Sequence, residues 1–217
     1  MSGSDFLYPF IEADERDQAG LLGDLAASAG AKMDQSAALR DETLARLAGE
    51  IATLAGEMTA RFATGGRLFT FGNGGSATDA ALSASLFALA PGGTPLPARS
   101  LAEDTAVLTA LGNDVGFELV FSRQLIAHAT ASDMAMGFST SGNSDNVVRA
   151  MAEAHRRGLL TIGLAGYDGG GMAASPDIAH CMVVRSESVH RIQETQSALV
   201  HAVWSAVQDR MGTGVPS

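Results

Sequence analysis

The first sixty residues carry a helical pattern of apolar positions. The stretch from about Ile11 to Ala63 is rich in Ala, Leu, Glu and Arg and contains no proline. Its apolar side chains recur at intervals of three and four residues, which places them on one face of a helix. The clearest members of this set are Leu44, Leu47, Ile51, Leu54 and Met58. The pattern predicts two helices, with a break near Gly30 to Ser36.

Short apolar runs alternate with helix-length segments from Arg67 onward. The runs are RLFTF, LPARS, MAMGFS, LLTIGLA and CMVV. Parallel strands need connections of a dozen or more residues, and a helix between successive strands supplies them. The sequence therefore predicts an α/β fold, a three-layer doubly wound sheet of five parallel strands with N-terminal helices. A final helix is predicted from about His190 to Arg210.

The same pattern divides the chain into three stretches. Residues 1–63 are expected to form an N-terminal helical segment of the same domain, and residues 64–211 the sheet domain. Residues 212–217 read as a frayed tail because they are rich in Gly, Pro and Ser.

Composition narrows the range of partners. The 217 residues carry a net charge of −10, and this balance disfavours direct binding to nucleic acid or to an anionic membrane, both of which need clustered Lys and Arg. The single cysteine, Cys181, cannot form an internal disulfide, which fits a cytoplasmic protein. The region from Met1 to Leu22 is too acidic for a signal peptide, and no apolar run is long enough for a membrane helix.

The first candidate ligand loop follows the first predicted strand and precedes a helix. It reads Gly72-Asn73-Gly74-Gly75-Ser76. Glycines let backbone N–H groups turn toward an anion at a helix N-terminus, and Ser76 adds a hydroxyl donor. An ordinary turn with a helix cap accounts for the same residues, since glycine-rich turns are common.

The second candidate loop follows the strand MAMGF and opens another helix. Ser139, Thr140, Ser141 and Ser144 place four hydroxyls within six residues. At a helix N-terminus these groups would satisfy phosphate oxygens without a lysine. Neither loop has the GK[ST] of a Walker loop or the GxGxxG of a dinucleotide site. A hydroxyl-rich cradle of this kind suits a sugar phosphate.

Five motifs, taken together and in order, resemble the sugar isomerase (SIS) domain family, specifically its phosphoheptose isomerase branch. They are GNGGSATDA, LTALGNDVGFELVFSRQL, STSGNS, GYDGGGMA and RIQETQSALVH. The resemblance covers residues from about 40 to 210. It implies a five-stranded parallel sheet between helices and a homotetramer with sites between subunits, in which residues 1–63 contribute to the interface. Its active members interconvert sedoheptulose 7-phosphate and glycero-manno-heptose 7-phosphate.

The resemblance also assigns roles to individual positions. It implies that the sugar phosphate is contacted by Asn73, Gly74, Gly75, Ser76, Asp104, Ser139, Thr140, Ser141, Ser144 and Gln193. Gln193 and His201 match two zinc ligands of the family, and His201 doubles there as a catalytic acid or base.

Two positions depart from the family. Its active members carry a histidine and, four residues later, a glutamate on the helix after the glycine loop, and these complete the metal site. Leu82 and Leu86 stand there in this chain. Two leucines cannot bind zinc, so the resemblance leaves the cofactor open: zinc is conceivable, with two of four ligand positions absent.

The proton-transfer groups are therefore open as well. Aldose–ketose isomerisation needs a base for the carbon-bound proton and an acid or metal for the oxygen. As a histidine, His201 is a candidate for one of these roles. Gln193 lies eight residues away, about 12 Å along a helix axis, so a single straight helix does not readily present both side chains to one metal ion. Glu103, Asp104 and Glu194 are candidates for the second role, and Glu103 is the first to test because it adjoins a position expected near the sugar.

Two hypotheses follow from the sequence. The first is a cytoplasmic phosphosugar isomerase of the phosphoheptose type. The second is a non-catalytic sugar-phosphate-binding adaptor or regulator, because the family includes a member that associates with the bacterial replication initiator and lacks the isomerase metal residues.

Overall fold

The computed structural model describes residues 18–212 and contains one five-stranded sheet. The strands are β1 (Leu68–Gly72), β2 (Ala98–Ser100), β3 (Met134–Ser139), β4 (Leu160–Gly166) and β5 (His180–Val184). The helices are α1 (Gln18–Ala63), α2 (Gly75–Leu89), α3 (Thr105–Asp114), α4 (Val120–His128), α5 (Asp145–Arg156), α6 (Gly170–Ala174) and α7 (Val189–Gly212). A short 3₁₀ turn, Phe117–Leu119, precedes α4.

All five strands are parallel and lie in the order β2-β1-β3-β4-β5. The chain starts near the middle of the sheet, moves to one edge and then crosses to the other, which is the doubly wound topology. The predicted α/β fold with five parallel strands is confirmed.

Side chains alternate between two cores, one on each face of the sheet. Leu68, Met134 and Met136 pack into a core shared with α1, α2 and α7. Phe69 and Phe71 point to the opposite face, into a core shared with α4 and α5. Because both faces are covered, the inner strands β1, β3 and β4 are buried at every position, and this is why they appeared in the sequence as nearly continuous apolar runs.

The chain divides into two compact units, Met1–Ala38 and Leu39–Ser217. The described part of the first unit is helical and exposes Leu22, Leu25 and Met33. The second unit contains the sheet and both cores. No helix within residues 18–212 is long and apolar enough to cross a membrane.

The predicted break near Gly30 to Ser36 is wrong, because α1 runs from Gln18 to Ala63 as one helix. The segment contains no proline, so every residue keeps its backbone donor. One glycine costs a helix only about 1 kcal/mol, and Ala29, Ala31 and Met33 are good helix formers beside it. The predicted helical stretch before Gln18 lies outside the described residues.

The predicted final helix is confirmed as α7, which ends at Gly212. The remainder of the expected tail, residues 213–217, lies outside the described residues.

Asp133 joins the amino ends of β1 and β3 and is almost fully buried. Its carboxylate accepts hydrogen bonds from the Arg67 backbone and guanidinium and from the Thr130 backbone and hydroxyl. Burial acts to raise the pKa of Asp133, but these hydrogen bonds outweigh it and hold the pKa below its ordinary value. The carboxylate therefore contributes stability above the ordinary aspartate pKa, and this contribution is lost as the pH falls through the lowered one.

Asp133→Asn is expected to reduce the free energy of unfolding by about 1–2 kcal/mol at pH 7, because the amide nitrogen cannot accept the two or three hydrogen bonds that one carboxylate oxygen accepts. The difference in free energy of unfolding between the variant and the wild type should shrink as the pH falls below about 4, because the wild-type carboxylate then begins to lose its stabilising contribution. Urea unfolding at several pH values measures both effects. Asp41→Asn, on an exposed carboxylate, is the matched control. A deficit that stays constant down to pH 2.5 would contradict the assignment.

Gln196 lies on the buried face of α7 and is fully inaccessible. Neither its Nε2 nor its Oε1 has a hydrogen-bond partner among the described residues. Gln208, on the same helix, differs because its amide bonds both the backbone N–H and the carbonyl of Thr94.

Gln196→Met is expected to raise the free energy of unfolding by about 1–2 kcal/mol, because it removes two unpaired polar atoms and conserves volume. Gln208→Met should lower the free energy of unfolding, since its amide is paired. Thermal and urea unfolding of the two variants test the contrast. Destabilisation of both by similar amounts would mean that the Gln196 amide is satisfied in solution.

Candidate functional site

The two candidate loops lie side by side at the carboxyl ends of neighbouring strands. β1 pairs with β3 up to Gly72 and Phe138, so the segments 72–76 and 139–144 leave the sheet at the same edge. This edge is where open α/β sheets bind ligands.

The glycine loop leads directly into α2. The helix begins at Gly75, and no side chain caps its N-terminus. Ser76 is buried in the first turn, and Asn73 is partly exposed before it. An uncapped helix N-terminus carries backbone N–H groups and a partial positive charge, both of which favour an anion.

The serine loop gathers three hydroxyls around one point. The Oγ of Ser139 lies 2.9 Å from that of Ser144 and 3.5 Å from that of Ser141. Ser139 is buried, Ser144 is partly buried and Ser141 is exposed. Ser144 occupies the N-cap position of α5 without capping it. Hydroxyls can reorient as donors, so this cluster is equipped to hold an anion at the helix N-terminus.

The glycine-rich segment 166–173 supports the serine loop from behind. Gly142 has φ of 66°, and a Cβ added there would lie only 2.0 Å from the Gly169 carbonyl oxygen. The Gly142 carbonyl accepts from Met172 N, and Asn143 Oδ1 accepts from Gly171 N. The motif GYDGGGMA thus sets the backbone path of the serine loop. From the sequence alone, this motif was only one of the five that indicated the family.

Gln193 reaches the glycine loop from α7. Its Nε2 donates to Asp79 Oδ2 at 2.7 Å, and a Cβ on Gly75 would lie 2.6 Å from the same nitrogen. Burial raises the pKa of Asp79, and the hydrogen bond from Gln193 partly offsets this. Sequence reasoning did not select Asp79, although it lies one helical turn after Ser76 within the motif GNGGSATDA.

Asp104 and Glu103 lie after β2, the strand beside β1. Asp104 Oδ1 accepts from Val107 N at 3.0 Å and so caps α3. Glu103 is exposed and makes no hydrogen bond or ion pair with the rest of the described chain. By topology both residues lie at the carboxyl ends of the strands, and within residues 18–212 neither makes a hydrogen bond or ion pair with the two loops.

His201 lies on the exposed surface of α7, not in its core. Its ring packs against Trp204, with 5.4 Å between the ring centroids. Leu82 is 62% exposed on α2, whereas Leu86 packs partly against the core. Asp79, Leu82 and Leu86 share one face of α2, since they are spaced by three and four residues.

These residues do not fit the zinc site of the family. Leu82 and Leu86 offer no ligand atoms, so only Gln193 and His201 keep a donor atom among the four family ligand positions. Within residues 18–212, no three His, Cys, Asp or Glu side chains are grouped so that they could hold a metal ion.

The sheet and its paired loops define a doubly wound α/β protein with a candidate ligand site at the carboxyl ends of its strands. The chain belongs to the SIS domain family, because the sequence profile of that family matches residues 33–166. This confirms the family resemblance that the five motifs indicated.

Within the family, the chain is similar to phosphoheptose isomerases. It is 40% identical over 180 residues to that of Aneurinibacillus thermoaerophilus, covering 81% of this chain and 87% of that protein. It is 43% identical over 169 residues to that of Geobacter sulfurreducens, covering 76% and 87%. Among solved structures, the phosphoheptose isomerase from Neisseria gonorrhoeae superposes with a TM-score of 0.78 at 36% identity, covering 85% of this chain and 99% of that one.

Proposed function

We propose that the protein binds a sugar phosphate of the sedoheptulose 7-phosphate type and places its phosphate in the serine loop. The observation that carries this proposal is the cluster of Ser139, Ser141 and Ser144 hydroxyls at the uncapped N-terminus of α5. Hydrogen bonds to a charged acceptor are the stronger kind, so this small cluster can hold a phosphate without a cationic side chain. The similarity to phosphoheptose isomerases supports the sugar.

The family resemblance and the placement of the two loops support the remaining contacts that we propose. The sugar would extend from the serine loop toward the glycine loop and the start of α2. We assign it the contacts Asn73, Gly74, Gly75, Ser76, Asp104, Thr140 and Gln193. Of these, Gln193 is the one whose position beside Gly75 and Asp79 supports its assignment by contact.

The first functional candidate is aldose–ketose isomerisation. It moves a proton between adjacent carbons through an enediol, so the protein must hold the open-chain sugar and supply a base and an acid. We assign the loops to holding the sugar, and Glu103 and His201 to proton transfer.

The second candidate is a non-catalytic sugar-phosphate sensor or adaptor. The observation that favours it is the replacement of two metal-site positions by Leu82 and Leu86, on the same face of α2 as Asp79. The phosphate-binding loops would then transmit ligand occupancy, with no chemistry at the sugar.

Incubation with sedoheptulose 7-phosphate separates the candidates. Product is followed by chromatography with and without added zinc, and binding is measured in parallel by calorimetry. Formation of the aldose phosphate supports isomerisation, and in that case turnover unchanged by Glu103→Gln would exclude Glu103 as the base. Glu118→Gln, on another exposed carboxylate, is the control. Binding without product supports the sensor, and the absence of binding overturns both candidates.

We also propose a homotetramer with sites between subunits, acting in the cytoplasm. Exposed apolar side chains on α1 and α2 support the assembly; they are Leu22, Leu25, Met33, Leu82 and Leu89. The lone thiol of Cys181 supports a reducing compartment, because the chain has no second cysteine with which to form an internal disulfide. Light scattering after size-exclusion chromatography measures the assembly, and a monomeric mass would overturn it.

A further inference from the structure

One pair of side chains joins the two ligand loops. Asn73 Nδ2 donates to Asn146 Oδ1 at 2.8 Å, and Asn146 Nδ2 donates to Asn73 Oδ1 at 2.9 Å. The two amides thus face each other through a closed pair of hydrogen bonds. Among the described residues, no other side-chain hydrogen bond links segment 72–89 to segment 139–156.

The two members of the pair differ in burial. Asn146 is only 4% exposed in the first turn of α5, immediately after the serine loop. Asn73 is partly exposed within the glycine loop. Both polar atoms of each amide point at the other, so Asn146 is directed at Asn73 and away from the ligand space. A buried, fully paired amide of this kind specifies one geometry, because any displacement leaves polar atoms unsatisfied.

The glycine loop needs such a restraint more than the serine loop does. The serine loop is bonded from behind by segment 166–173 through Thr140, Gly142 and Asn143. The glycine loop contains Gly74 at φ of 55° and has no side-chain cap at α2, so its backbone path is less determined locally.

We propose that Asn146 is a positioning residue, which acts through Asn73 to fix the distance between the glycine loop and the serine loop. At this distance both loops contact the same sugar phosphate. The inference rests on the proposed binding of a sugar phosphate. It assigns Asn146 no contact with the ligand.

The variant Asn146→Asp tests the pair through its pH dependence. A carboxylate at 146 still accepts from Asn73 Nδ2, but its second oxygen faces Asn73 Oδ1, and two acceptors repel. Protonation supplies an O–H donor and restores the second bond. Burial raises the pKa of such a carboxyl, which brings its titration toward a pH range in which the protein can be handled.

The expected result is a loss of affinity for sedoheptulose 7-phosphate by about tenfold or more at pH 8, the cost of one broken buried hydrogen bond. The ratio of variant to wild-type affinity should recover to within about threefold at pH 5, because protonation rebuilds the pair. The ratio is used because the phosphate of the ligand also titrates in this range. Inorganic phosphate, which the serine loop can hold by itself, reports the direct repulsion by a carboxylate in the first turn of α5. The loss of affinity at pH 8 should therefore be larger for sedoheptulose 7-phosphate than for inorganic phosphate, and equal losses would mean that repulsion alone is responsible.

Two further variants keep the test decisive. Asn73→Asp places the carboxyl on the less buried member of the pair and should give the same profile, which preserves the test if Asn146→Asp does not fold. Gln35→Glu makes the same amide-to-carboxyl change at an exposed site on α1, outside the five motifs, and should leave the ratio near one at each pH. A ratio that does not depend on pH in either test variant overturns the inference while wild-type binding persists. Absence of wild-type binding overturns the proposed function, and the inference with it.

Discussion

Replacing Ser141 and Ser144 together by alanine is expected to raise the Kd for sedoheptulose 7-phosphate about a hundredfold. Two hydroxyls that donate to a phosphate dianion contribute about 1.5 kcal/mol each at the lower end for charged acceptors, and about 3 kcal/mol together. Ser139 and the N-terminus of α5 remain, so binding should weaken without vanishing. Isothermal titration calorimetry measures the change.

The control for this variant is the pair Ser132→Ala and Ser197→Ala. Ser132 precedes β3 at the opposite end of the sheet, and Ser197 is exposed on α7. The thermal stability of both double variants should remain close to that of the wild type. Ser132, Ser197 and Ser141 are exposed, and the Ser144 hydroxyl bonds only within the loop. Unchanged affinity in the variant that lacks the Ser141 and Ser144 hydroxyls would contradict the assignment of the phosphate to the serine loop.

Sequence was sufficient for the sheet because its three inner strands, β1, β3 and β4, are buried on both faces. Apolar runs such as residues 134–138 can then be recognised locally, without knowing their neighbours. The continuity of α1 was harder to predict, because the cost of Gly30 had to be weighed against many favourable residues around it.

The serine loop was also predictable from a local pattern, because its four hydroxyls lie within six residues. The partners that shape the site are distant in sequence: Asn73 meets Asn146 across 73 positions, and Asp79 meets Gln193 across 114. Side-chain pairs of this kind depend on how helices cross at the sheet edge, which no local pattern specifies. The resemblance to a family identified Gln193, but not the carboxylate to which it donates.

The leucines on α2 illustrate a different limit. Their identity was plain in the sequence, and the resemblance marked their positions as those of metal ligands. Whether another group took over the lost chemistry depends on which side chains surround the sugar. Within residues 18–212, neither Glu103 nor His201 makes a hydrogen bond to either loop, and His201 packs against Trp204. Turnover assays therefore carry more weight for these residues than geometry does.

Gly142→Ala is expected to lower the free energy of unfolding by about 3 kcal/mol and to abolish measurable sugar phosphate binding. A left-handed backbone costs an alanine about 1–2 kcal/mol relative to glycine. The added Cβ would also meet the Gly169 carbonyl oxygen at 2.0 Å, and a backbone atom cannot rotate away as a side chain can. The loop must therefore separate from segment 166–173, which strains the backbone further and displaces the hydroxyl cluster.

Gly65→Ala separates the two contributions. Gly65 has φ of 84° in the turn after α1, and nothing lies within 4 Å of a Cβ added there. This control should show only the backbone cost, about 1 kcal/mol, and should bind sugar phosphate normally. Urea unfolding and calorimetry on both variants measure the difference. If Gly142→Ala loses no more stability than Gly65→Ala and still binds the ligand, the close packing of segment 166–173 does not determine the shape of the serine loop.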